Sequence, residues 1–146
     1  MKNILIILAF AFFYTAPSSC CGQKMIQKTG DAKKLELNKE QFIGKPLKIL
    51  LEQIEPKIKF VYGNPENTWA GATGGTYLKF HFVDRDEYGR KLKKNEKSIG
   101  MVINFQLEPN NTRKPLPKNG LKEWTKEDTK EYGDMIITKV RVIDEN

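Results

Sequence analysis

The sequence predicts an α+β domain in which one N-terminal helix packs on a four-stranded, mainly antiparallel sheet with long loops. Three observations carry that expectation. Leu47, Leu50, Leu51 and Ile54 recur at the spacing of one helical face. Four later stretches alternate apolar and polar residues with a period of two. The connections between those stretches carry no long helical pattern, which argues against a doubly wound parallel sheet. A chain of 146 residues needs only one core, so residues 35–146 are expected to form a single domain.

The first element is a leader. Lys2 supplies a positive start, Ile4 to Tyr14 is an uncharged apolar run, and Thr15 to Cys20 turns to small residues. This layout predicts a signal peptide over residues 1–19. The apolar run would span about 16 Å as a helix, too short for a hydrocarbon core of about 30 Å. Ser18-Ser19-Cys20 resembles a bacterial lipobox, with Pro17 where Leu is usual, and makes Cys20 the expected lipidation site, with Cys21 as the alternative. Ordinary cleavage, leaving a soluble secreted protein, is the competing expectation. Removal of residues 1–19 takes away only the charge of Lys2, so the exported part carries +6.

Residues 20–34 are polar and lysine-rich, and read as a flexible tether. The helix is expected over about Lys45 to Glu55, with Pro46 in its first turn and Pro56 ending it. Asn38 and Gln41 have capping-box spacing just before it. The strands are expected over Ile58–Tyr62, Thr76–Asp84, Ser98–Leu107 and Met135–Ile143. In the second of them Leu78, Phe80 and Phe82 share the core face, with Lys79 and His81 opposite. In the last, Ile136, Val140 and Val142 alternate with Lys139 and Arg141. Three long connections join the strands: Gly63–Gly75 with Trp69, the mixed-charge run Arg85–Lys97, and Glu108–Gly133 with Trp124. Within the third, Thr125 and Asp128 predict a capped helical turn.

Composition narrows the chemistry. Lys+Arg 25 against Asp+Glu 18 gives +7, and 39% hydrophobic residues argue against wholesale disorder. One histidine and two adjacent cysteines leave little material for a disulfide framework, a metal site or a nucleophile–histidine pair, so no cofactor and no metal is expected. His81 is expected to be a half-exposed strand histidine. Asp84 to Gly89 has acids at the first and third positions of a calcium loop, but position 12 falls on Asn95, so a strand end and solvated turn is expected. Gly71 to Thr76 lacks the Gly-Lys-Ser/Thr ending of a phosphate loop and reads as a flexible connection. Glu66 and Asp134 are carboxylates with nothing to bring them together. Thr112 to Lys126 carries five basic residues against Glu123, with Trp124 nearby. In an exported protein that surplus points to lipid, glycan or acidic protein, and no nucleic acid is expected.

Phe42-Ile43-Gly44-Lys45-Pro46-Leu47, Lys59 to Thr68, Gly74 to Leu78, Lys114-Pro115-Leu116-Pro117 and Trp124-Thr125 together resemble small uncharacterised exported proteins and lipoproteins of Bacteroidota. The resemblance implies an envelope address and a single domain, and no activity.

The function expected from these features is a non-enzymatic envelope lipoprotein, membrane-bound through its lipid and binding an envelope or secreted protein partner, immunity-type in one version. Trp69, Arg113, Lys114 and Trp124 are the interaction candidates. The alternative is a small-molecule binder or enzyme with the Trp69 loop as a lid over a sheet-face pocket.

Overall fold

The computed structural model describes residues 23–65, 76–108 and 113–145. The leader, Cys20, Cys21 and Trp69 lie outside the described residues. Among the described residues no helix is long and apolar enough to cross a membrane.

Four strands, β1 Phe60–Asn64, β2 Tyr77–His81, β3 Ser98–Phe105 and β4 Ile137–Glu145, pair in chain order as an antiparallel meander. Their alternation builds two faces. Val61, Phe80, Met101 and Val142 lie in one cross-strand row, and Leu78, Ile103 and Val140 in the next. These side chains join Leu35, Leu47, Leu50 and Tyr132 in one hydrophobic cluster. The α+β class and the antiparallel sheet are therefore as the sequence predicts, with several short helices in place of one.

The expected helix shortens to α2, Leu47–Leu51, with Pro46 as its N-cap. Its first free N–H groups dock on backbone: Leu47 N–H donates to Met135 C=O at 2.9 Å and Lys48 N–H to Gly133 C=O at 2.8 Å. That docking places Lys48 beside Asp134, Nζ to Oδ1 at 2.7 Å.

A second helix, α1 Lys33–Leu37, precedes it. The stretch read as a tether does not behave as one from Met25 onward. Ile26 is fully buried and exchanges backbone hydrogen bonds with Gln53 and Glu55, and Ala32 is fully buried beside Leu35. Few but well-placed apolar side chains order a segment that its lysines make look solvated. Asn38 stands at the N-cap position of the 3-10 turn Lys39–Gln41 but accepts no backbone N–H there; its Oδ1 accepts from Gln41 Nε2 at 3.4 Å, and its amide donates to Lys34 C=O at 2.8 Å, closing the end of α1.

Two further corrections concern β4 and the charged run. Asn104 pairs with Lys139 and Phe105 with Ile137, so Thr138 is an extra residue on β4. This bulge turns Ile137 inward with Val140 and leaves Ile136 half-buried. The run after Asp84 is no solvated loop: it is α3, Arg85–Lys93. Asp84 is its N-cap, accepting from Glu87 N–H at 2.8 Å. The capped turn expected at Thr125 extends into α4, Lys126–Tyr132, with a capping box between Thr125 and Asp128.

Candidate functional site

The face of the sheet opposite the main core is covered in part, over Lys79 and His81 of β2. Phe60, His81 and Gly100 lie in one row across β1, β2 and β3, and Tyr62, Lys79 and Val102 in the next. α3 crosses this face and sets Tyr88 against the His81 ring, centroids 4.5 Å apart. His81 is therefore 0% exposed, against the half-exposed position expected for it. Its ring stacks on Tyr62 at 5.7 Å with 12° between planes and meets Phe60 at 5.8 Å. Gly100 makes room for it: a methyl group there would stand 3.2 Å from His81 Cε1. Lys79 is only 7% exposed, with Nζ 5.3 Å from the Tyr62 centroid and 6.0 Å from that of Tyr88.

Beside this aromatic layer lies a groove. Its third wall is the segment Pro117 to Lys122, which reverses by a turn in which Gly120 N–H donates to Pro117 C=O at 2.7 Å. Gly120 has φ +73° and sits so close to Val61 that a Cβ would fall 2.5 Å from its carbonyl oxygen. The chain then pairs with the outer edge of β1, Leu121 N–H to Val61 C=O at 2.8 Å and back at 3.1 Å. This pairing covers part of an otherwise open strand edge.

Phe60, Asp84, Arg85, Asp86, Asn119, Gly120 and Lys122 line the main hollow, of about 420 Å³. A shallower extension of about 280 Å³ continues over Tyr62, Tyr88 and Lys118. Three cations and two carboxylates thus surround an aromatic floor, and one carboxylate, Asp84, is already engaged by the α3 backbone. Among the described residues no three His, Cys, Asp or Glu side chains gather as a metal site.

Of the interaction candidates from the sequence, the three among the described residues, Arg113, Lys114 and Trp124, do not line this groove. Arg113 is held internally: its Nη1 pairs with Glu108 and its Nε donates to Glu131 C=O at 3.2 Å. Lys114 is exposed, but its backbone is fixed, N–H to Glu131 Oε1 at 2.8 Å and C=O accepting from Tyr132 Oη at 2.9 Å. Trp124 is half-buried against the core, edge-on to Phe80 at 5.2 Å and near Tyr132 at 5.8 Å. It packs the core, because its only polar atom is spent on Thr129. Sequence reasoning missed Arg85, Lys118 and Lys122 as neighbours. The Pro117-Lys118-Asn119-Gly120 turn signal and the Asp84–Glu87 cap spacing were the legible traces of two of the walls.

No family model, no curated protein and no solved structure matches the chain.

Proposed function

We propose that this chain is an exported, lipid-anchored envelope protein whose domain is a binding module for a protein partner. The groove is its recognition surface, and the occupant is an acidic segment of the partner. The carrying observation is the placement of Arg85, Lys118 and Lys122 around the Phe60–Tyr62 floor. Cations on an aromatic base suit carboxylate side chains interspersed with apolar ones. The sealing of His81 supports a binding role, because a fully buried imidazole has no route to a substrate. An immunity-type protein, in which the partner is a toxin, is one form of this reading.

A photo-crosslinking residue at Asn119, introduced in the producing cell, tests the recognition surface. One discrete protein adduct is expected, lost when Lys122→Glu is added and retained with Lys139→Glu on β4. No adduct, or an adduct indifferent to Lys122, would overturn it. Export and anchoring are tested separately. Cys20→Ser should move the protein from membrane to soluble fractions, and unchanged partitioning would remove Cys20 as the acceptor.

One observation favours a second reading. The main hollow, at about 420 Å³, has the size of a small-ligand site. Binding of a small polar molecule at Asp84 and Arg85 would then replace the partner segment, and a crosslinker at Asn119 would capture no protein.

A further inference from the structure

We infer that His81 makes the docking of α3, and with it one wall of the groove, sensitive to acid. The inference rests on the packing of α3 and not on what occupies the groove.

The His81 ring is enclosed on every side for which a neighbour is defined. β1 faces it with Phe60 and Tyr62, and α3 faces it with Tyr88. β3 passes it at Gly100, which Ile143 of β4 flanks on the same face. β2 places the Lys79 ammonium over the Tyr62 and Tyr88 rings that the imidazole itself contacts. Water is excluded from the ring. A proton taken up there would create a cation without hydration, beside rings that already hold one. Attraction to the ring faces offsets part of that cost, but Tyr62 and Tyr88 are shared with Lys79.

The charged ring can regain water only where the enclosure opens. On the sheet side, β1, β2 and β3 are locked in ladders. α3 carries no fully buried side chain and holds to this face through half-buried Tyr88. It is the cover that can lift, as expected of an element from the low-stability end of a domain. Lifting it removes Arg85 and Tyr88 from the groove. In an exported protein, whose surroundings follow the pH of the medium, acid would then weaken whatever the groove holds.

The first turn of α3 contains its own acid-sensitive groups. The Asp84 cap, Asp86 and Glu87 favour the helix while ionised and weaken it when protonated. The experiment must separate them from His81.

Because the chain has one histidine, its ring Cε1–H gives a single cross-peak in a ¹H–¹³C NMR spectrum of the purified protein. We expect the His81 signal and the Tyr88 and Gly89 backbone amides to shift with one midpoint on titration from neutral pH toward about pH 4. Deuterium exchange of α3 should rise about tenfold or more across it, with β2 and β3 still protected. In His81→Gln, α3 should stay docked to a pH at least about one unit lower. His81 titrating while the α3 amides hold still would overturn the inference. So would α3 lifting in His81→Gln at the wild-type midpoint. Should that variant fail to fold, the variant carrying Asp84→Asn, Asp86→Asn and Glu87→Gln decides: its α3 should still lift with the His81 signal at the wild-type midpoint, and loss of that acid-driven lifting would overturn the inference.

Discussion

The indole N–H of Trp124 donates to Thr129 Oγ1 at 2.8 Å, and Thr129 Oγ1 in turn donates to Thr125 C=O at 3.2 Å. Both contacts fall within the first turn of α4, so the tryptophan fastens that helix to the core. Its ring edge meets Phe80 at 5.2 Å, the preferred edge-to-face geometry of aromatic pairs. A side chain used in this way has no free polar end to offer a partner.

Trp124→Ala should therefore destabilise the fold, by about 2–4 kcal/mol, a little under the range for a fully buried aromatic. Trp124→Phe should keep most of the apolar contact and lose the hydrogen bond, about 1 kcal/mol. Denaturant titration of both variants checks the order. If Trp124 were a partner anchor, Trp124→Ala would instead leave stability near that of wild type.

Phe80 lies at the centre of the main cluster, fully buried, paired with Val61 on one side and Met101 on the other. Phe80→Ala should cost about 3–5 kcal/mol in equilibrium unfolding. A loss under about 1 kcal/mol would mean that β2 presents the opposite face to this core.

Much of this arrangement was legible because strands advertise themselves by period. Leu78, Phe80, Met101 and Ile103 announce both the ladder and its inner face. The bulge did not show, since Ile136 and Ile137 are chemically alike and only the pairing of Phe105 decides which turns inward. Nor did alternation reveal that His81 and Lys79 are covered. A period of two says which residues share a face, not whether anything lies upon it. α3 escaped because no apolar stripe marks it: Tyr88 packs on the sheet at His81, while most of its charged residues are exposed. The groove escaped for a different reason. Its walls come from segments more than 30 residues apart, brought together where Leu121 pairs with Val61.

The contact between Gly100 and His81 yields a coupling prediction. A Cβ at Gly100 would stand 3.2 Å from His81 Cε1 and 3.3 Å from Ile143 Cγ1, tighter than ordinary van der Waals contact. Gly100→Ala should cost about 1–3 kcal/mol through overpacking. In a His81→Ala background the ring is gone and the same substitution should cost at least about 1 kcal/mol less. Additive effects in the double-mutant cycle would mean that His81 does not press on Gly100.

Lys48 and Asp134 join α2 to the start of β4 by an exposed ion pair, and the two partners shift in the directions such a pair requires. The hydrogen bond and charge of Lys48 hold the Asp134 carboxyl below its ordinary value of 3.8, and Asp134 raises Lys48 above 10.5. A lowered carboxyl stabilises the folded state above its unfolded value, and that contribution is lost as pH falls through the folded value. A raised ammonium contributes fully below its unfolded value and loses the contribution as pH rises through the folded one. The pair is accordingly intact from about pH 4 to 10 and fades on either side. Asp134→Asn should be less stable than wild type at pH 7, with the gap closing below about pH 3 and again at high pH. Because both side chains are largely exposed, the gap should be small and shrink in about 1 M salt. Backbone docking of Leu47 and Lys48 on Met135 and Gly133 is untouched by the substitution, so α2 should keep its place and its amide protection. A gap that persists unchanged at low pH would assign the loss to packing around residue 134, with no share for the charge pair.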